Sequence, residues 1–310
     1  MLKRVKIQFK NEAEWLKLRS QDITSTEISA LFNSNPWLTE FELWHTKKAG
    51  DIGGIEKNEA MEIGIDFEAP IAKFIAKKEG WKIRPKKHYV RLDGLRIGSS
   101  FDYEIFQPFE AVFEIKNVSE MSYKNQWKEN GDNIEAPVHL EFQFQHELLV
   151  SGAEKLVVGV MVGGNRRKYF TRLPDPKVHE AILAKCAAFW KSTKENKEPA
   201  PNLERDAAYI AKLFNKAEKG KEIESTVDIN TLAVEYREYS KAEEEYKKKK
   251  EVAKAQLLMK IGNASRVNGE DFFITCGPTS GSTYTVERKP GRSFRVYFNQ
   301  GEENVKPEVE

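Results

Sequence analysis

Cysteine is nearly absent: Cys186 and Cys276 are the only two in 310 residues, far apart and in no metal-ligand spacing. That argues against a disulfide framework or a cysteine-built metal site, and fits two reduced thiols in a cytosolic protein. Long apolar runs are missing too. No stretch approaches the roughly 20 residues needed to span a bilayer. The start MLKRVKIQFK has charge but no following apolar segment, so no secretory signal is expected. Nor does one charge sign dominate. The balance of 50 Lys and Arg against 48 Asp and Glu leaves only +2, so binding a polyanion would require local basic patches.

What is present suits a soluble fold. Apolar residues make up 40% of the chain, enough for one main domain with a large core plus an appendage. Helices are expected at 11–19, with Trp15 and Leu18 inward, and at 39–49. A longer one over 56–79 would align Met61, Ile65, Glu68, Ile71, Ala72 and Ile75, and Gly80 would end it. Ser25 is a candidate N-cap for a helix containing Ile28, Leu31 and Phe32. Strands are expected at 82–92, 96–106 and 110–117. A helix at 137–151, strands at 155–162 and 167–173, and a helix at 175–194 follow. Helices around a central mixed sheet make an α/β or α+β layer fold.

The stretch GSSFDYEIFQPFEAVFEIK, residues 98–116, carries the chemistry. Asp102 lies in one apolar strand-like run and Glu114-Ile115-Lys116 near the end of the next, with a reversal around Gln107, Pro108 and Phe109. Side chains alternate along a strand, so Val112, Glu114 and Lys116 share one face while Phe113 and Ile115 anchor the other. Paired strands lie about 5 Å apart, close enough for both carboxylates to reach one hard cation such as Mg²⁺. Two acids and a lysine on paired strands are the kit for metal-dependent phosphodiester cleavage. A surface ion pair on a half-exposed hairpin is the other reading. Glu195-Asn196-Lys197 and Glu245-Tyr246-Lys247 repeat the E-x-K spacing, but in lysine-rich, helix-like surroundings.

Several blocks in order resemble one family, the YqaJ-like phage recombinases that include lambda exonuclease, within the PD-(D/E)xK nucleases. Trp15-Leu16-Lys17-Leu18-Arg19 with Ile23-Thr24-Ser25-Thr26-Glu27 is similar to the family's W-x-x-x-R…I-T-x-S-E signature. Gly64 to Glu68 looks like its G-x-x-x-E helix. Gly98 to Asp102, Glu114-Ile115-Lys116 and Gln143-Phe144-Gln145 follow. The likeness spans about residues 12–195. Phe101 stands where the family usually has proline, which metal ligation does not need. The scarcity of cysteine separates the chain from relatives of this fold that carry a four-cysteine iron–sulfur cluster.

The resemblance implies a PD-(D/E)xK core over 1–200 with a central mixed sheet flanked by helices. It implies that Asp102, Glu114 and the Ile115 carbonyl hold one or two Mg²⁺, for which Mn²⁺ can substitute, and that Lys116 positions water and stabilises the scissile phosphate. Glu68 and Gln145 would support the metal-bound water or the surroundings of Lys116. For each, an ordinary structural role is the alternative: a glutamate reaching solvent, a glutamine satisfied in the core. Arg19, Ser25, Thr26 and Ser100 would form a pocket for a 5′-phosphate, using a guanidinium, hydroxyls and a helix start. Lambda exonuclease-like behaviour further implies 5′-to-3′ digestion of linear duplex DNA ends, a trimeric ring, a single-strand annealing protein as partner, and the (host) cytoplasm as location. A structure-selective or restriction-type endonuclease could use the same triad, and a non-catalytic DNA-binding scaffold is the third possibility.

Beyond 200 the pattern changes. Glu198-Pro199-Ala200-Pro201-Asn202 reads as a linker, and 201–300 as a helical arm with a small β unit. Helices are expected at 203–219 and 230–262. In the second, Leu232, Tyr236, Tyr239, Tyr246, Ala253, Leu257 and Ile261 recur at near-heptad spacing beside Lys247 to Lys250. Strand-like runs surround Phe272-Phe273-Ile274, Tyr284-Thr285-Val286 and Phe294 to Phe298, and the acidic end 301–310 is expected to be disordered.

Overall fold

The computed structural model describes residues 2–50, 58–131, 133–281, 283, 292–294 and 296. They divide into two compact units between Ile210 and Ala211.

In the first unit the order is β1 (Arg4–Ile7), α1 (Glu12–Gln21), a short 3₁₀ turn (Ile28–Phe32), α2 (Glu40–Ala49) and α3 (Glu59–Glu79). Then come β2 (Lys82–Pro85), β3 (Tyr89–Leu92), β4 (Ile97–Ser99), β5 (Tyr103–Gln107) and β6 (Ala111–Val118). After α4 (Glu120–Gln126) and the hairpin β7 (Lys128–Asn130) and β8 (Asn133–Glu135) come α5 (Val138–Ser151), β9 (Leu156–Val162), β10 (Arg166–Arg172) and α6 (Pro176–Glu195). A central five-stranded sheet runs β10-β9-β6-β5-β2, and a smaller one runs β1-β3-β4. The central sheet is mixed, since β6 pairs parallel with β9 and antiparallel with β5.

Each face of that sheet buries a different layer. Phe113, Ile115 and Val157 pack with Ile71, Ala72 and Ile75 of α3. Val112, Val158, Val160 and Val162 pack with Phe144 and Leu148 of α5 and Ile182 and Phe189 of α6. Gly159 allows α3 to approach closely: a Cβ there would lie 2.9 Å from Ile75 and from Phe113. The fold is the expected α/β layer architecture with helices flanking a mixed sheet.

Three expectations change. The runs at 82–92 and 96–106 are each broken in two, and their halves join different sheets. Asp102 therefore sits in the bend that enters β5, not inside a continuous strand. Ser25 caps no helix, because the following 3₁₀ turn starts at Ile28 with Glu27 in the cap position. In α3 only Ile71, Ala72, Ile75 and Ala76 are buried, whereas Met61 and Ile65 are exposed. Asn58 caps that helix by accepting from the Met61 N–H, and Gly80 closes it at a positive φ of 73°.

Helix α7 (Leu203–Leu213) is shorter than expected, and its first half is pinned into the first unit. Asp206 is buried, accepting from the Thr39 hydroxyl at 2.5 Å and the Asn202 N–H at 2.7 Å. The second unit holds α8 (Val227–Ile261) and the hairpin β11 (Arg266–Asn268) with β12 (Phe273–Thr275). The run at 284–286, most of that at 294–298, and the acidic end 301–310 lie outside the described residues. Among the described residues, no helix is long and apolar enough to cross a membrane.

Candidate active site

The β5–β6 hairpin brings the acids together. Its register pairs Tyr103 with Phe113, so one step further Asp102 comes opposite Glu114. The Ile115 N–H donates to Asp102 Oδ2 at 2.9 Å, tying the bend to β6 between Glu114 and Lys116. Glu114 and Lys116 share the β6 face that looks toward α5. There Lys116 Nζ donates to Glu114 Oε1 at 2.8 Å and to Gln143 Oε1 at 3.2 Å. Gln143 Nε2 in turn donates to Glu114 Oε1 at 2.8 Å and to Glu147 Oε1 at 2.9 Å.

Electrostatics show how crowded this negative cluster is. Burial, then the charges of Glu114 and Glu68, raise the Asp102 carboxyl well above the usual range, against Lys116 and the Ile115 N–H. Burial and Glu114 likewise raise Glu68, which α3 delivers to the same region. Glu147, fully buried, is pushed up by burial and Glu114. Burial alone would lower the Lys116 ammonium, but Glu114, Asp102 and Glu147 outweigh it and raise its pKa. One lysine is thus surrounded by four carboxyl groups.

Among the described residues, no three His, Cys, Asp or Glu side chains form a ready-made metal cage. Mg²⁺ does not require one, since it keeps several waters and takes one or two carboxylates plus substrate phosphate oxygens. Asp102 and Glu114, joined by the Ile115 carbonyl, fit that donor set.

Gln145 is not beside Lys116. Its Nε2 donates to the Leu173 carbonyl and its Oε1 accepts from the Asp175 N–H, both at 2.9 Å, which ties α5 to the start of α6. Two residues along a helix are about 200° apart, so Gln143 and Gln145 point oppositely. Gln143 and Glu147, four residues apart on one face, are the pair that reaches β6. His139, one turn earlier, completes this row: burial and the Lys116 charge lower its pKa, and its ring meets Trp37 edge-on at 5.2 Å.

The second group gathers around Trp15. Arg19 lies over its ring at 4.7 Å and donates to Thr26 Oγ1 at 2.9 Å, while the indole N–H donates to Ser100 Oγ at 3.3 Å. Ser25 is buried nearby in the chain, where Ile23 bridges to Ile97. The expected contribution of a helix start fails here. The turn that begins at Ile28 is only five residues long, and the Glu27 carboxylate beside it accepts from the Thr24 N–H and hydroxyl at 2.9 Å. Sequence reasoning also missed Lys47, which is buried, pairs with Glu27 Oε1 at 2.8 Å and donates to the Arg19 carbonyl at 2.8 Å.

Residues 14–154 match the family model of the YqaJ-like viral recombinase domain. This segment is similar to that domain, in line with the resemblance of its motif blocks. The uncharacterized protein YqaJ of Bacillus subtilis (strain 168) is 29% identical over 234 residues, covering 72% of this chain and 71% of the relative. Among solved structures, the alkaline exonuclease LHK-Exo of Laribacter hongkongensis is similar at 16% identity and a TM-score of 0.46, over 64% of this chain and 99% of that one. LHK-Exo in complex with dAMP is similar at 15% identity and the same TM-score of 0.46, over 64% of this chain and 99% of that one.

Proposed function

We propose that the protein is a Mg²⁺-dependent exonuclease that digests linear duplex DNA from 5′ to 3′ and leaves 3′ single-stranded tails for phage-type recombination. The observation that carries this reading is the meeting of Asp102, Glu114 and Lys116 at the β5–β6 hairpin, inside the segment similar to the recombinase domain. Asp102, Glu114 and the Ile115 carbonyl hold one or two Mg²⁺, with Mn²⁺ able to substitute. When bound, the metal supplies Lewis acidity, easing deprotonation of water and offsetting charge on the attacking and leaving oxygens.

The chain's own groups do the rest. Lys116 stays protonated among its carboxylates, orients the attacking water and offsets charge on the scissile phosphate. Gln143 fixes Lys116 and Glu114 relative to each other, and Glu68 holds water from the α3 side. Arg19, Thr26, Ser25 and Ser100 clasp the 5′-phosphate, which sets polarity. Arg19 suits this because a guanidinium binds phosphate through two parallel hydrogen bonds. On this reading the protein works in the cytoplasm as a trimeric ring, with a single-strand annealing protein as partner.

The test is degradation of end-labelled linear duplex in Mg²⁺, with and without a 5′-phosphate. Faster loss from phosphorylated 5′ ends, with closed circles untouched, supports the proposal. Cutting of closed circles would instead favour an endonuclease on the same site.

A further inference from the structure

Helix α8 runs 35 residues, about 52 Å, without one buried side chain. Its apolar positions are not scattered. Leu232, Tyr236, Tyr239, Tyr246, Ala253 and Leu257 follow the alternating three- and four-residue spacing of a coiled-coil seam, with Glu243 and Lys250 in the two remaining seats. The seam is open: Leu232 is 63% exposed, Tyr246 70% and Leu257 47%. Within the chain, Phe294 meets the Tyr236 ring at 5.4 Å, and Tyr236 remains half exposed.

Charge along the helix says what covers this stripe. Acidic residues outnumber basic ones toward the first half, with Asp228, Glu235, Glu238 and Glu243 to Glu245 against Arg237 and Lys241, and basic ones dominate after it, with Lys247 to Lys250, Lys254 and Lys260 against Glu251. A parallel, in-register pair of such helices would stack Glu243 on Glu243 and Lys250 on Lys250. Reversing one copy sets the acidic end against the basic end and brings Glu243 within one seam step of Lys250 in the other copy. The seam then pairs Leu232 with Leu257, and the large Tyr236 with the small Ala253. We propose that α8 docks antiparallel on α8 of a second copy of this chain. Such a pair has twofold symmetry, so it links copies independently of any threefold closure.

Full-length protein carrying Cys276→Ser and either Leu232→Cys or Leu257→Cys is equilibrated at low salt, alone or in a one-to-one mixture, then oxidised. The proposal expects disulfide-linked dimers chiefly from the mixture, about tenfold more than from either variant alone. Cross-linking of each variant alone, equal to the mixture, means parallel pairing and overturns it. Absence of cross-linking together with an unchanged sedimentation mass also overturns it, as when the lysines serve only DNA phosphates. Charge reversal gives a second readout that does not depend on cysteine placement. Glu243→Lys or Lys250→Glu alone should weaken self-association about tenfold, and the double variant should restore it. Failure of the double variant to regain more than either single one contradicts the antiparallel arrangement.

Discussion

Lys116 Nζ lies 2.8 Å from Glu114 Oε1, and both meet the one Gln143 side chain of α5. The contact follows from strand alternation: residues two apart on β6 face the same way, and α5 covers that face. The lysine therefore lies in the same hydrogen-bonded group as the acid proposed to hold metal.

Gln143 and Gln145 separate cleanly by mutation. Gln143→Ala removes a bridge between Glu114, Lys116 and Glu147, so kcat should fall about 10²-fold with little change in DNA affinity. Gln145→Ala should leave kcat within about threefold and lower stability by roughly 1 kcal/mol, because the Leu173 carbonyl and the Asp175 N–H lose their partner. Kinetics and thermal melts of both variants check this, and equal kcat losses would contradict the assignment.

Arg19→Ala should abolish the preference for phosphorylated 5′ ends, with a loss of roughly 2 kcal/mol on that substrate alone. Arg19→Lys should recover only part of it, since an ammonium cannot make the paired hydrogen bonds. Initial rates on phosphorylated and unphosphorylated ends decide the matter.

His146 links stability to pH. It is fully buried in α5, its Nε2 is 3.3 Å from the Ile23 carbonyl, and burial lowers its pKa from 6.5 to about 4. A base with a depressed folded pKa stays neutral in the fold but charges when unfolded, so stability is lost as pH falls from 6.5 toward 4. The full loss is about 3 kcal/mol. Urea midpoints should decline over that window in the parent and be flatter in His146→Gln. Parallel curves for the two proteins would contradict the assignment.

The parts of the site legible in sequence are those with a local period. Strand alternation in 110–117 placed Glu114 and Lys116 together and Phe113 and Ile115 in the core, where they are found. Helix α5 offered no such guide, because Gln143 through Val150 are all buried and neither glutamine marks a polar face. Choosing Gln143 over Gln145 needs the packing direction of α5 on the sheet, which is tertiary information. The breaks at Lys86–His88 and around Ser100–Phe101 were hidden because apolar residues on both sides continue to alternate. Short polar strands such as Lys128–Asn130 carry too little signal to announce themselves.

Removing a carboxyl from the crowded cluster should also relieve repulsion. Asp102→Asn should raise the melting temperature of metal-free protein by a few degrees, since burial and the Glu114 and Glu68 charges disfavour the Asp102 carboxylate. A lower melting temperature would mean that the Ile115 hydrogen bond outweighs the repulsion.

Direct measurement of Mn²⁺ binding by calorimetry or electron paramagnetic resonance, in the parent, Asp102→Asn and Glu114→Gln, bears most closely on the shared site. The account predicts that either substitution weakens the same site by at least about 2 kcal/mol, because both carboxylates grip one ion. Unchanged affinity in either variant would contradict it.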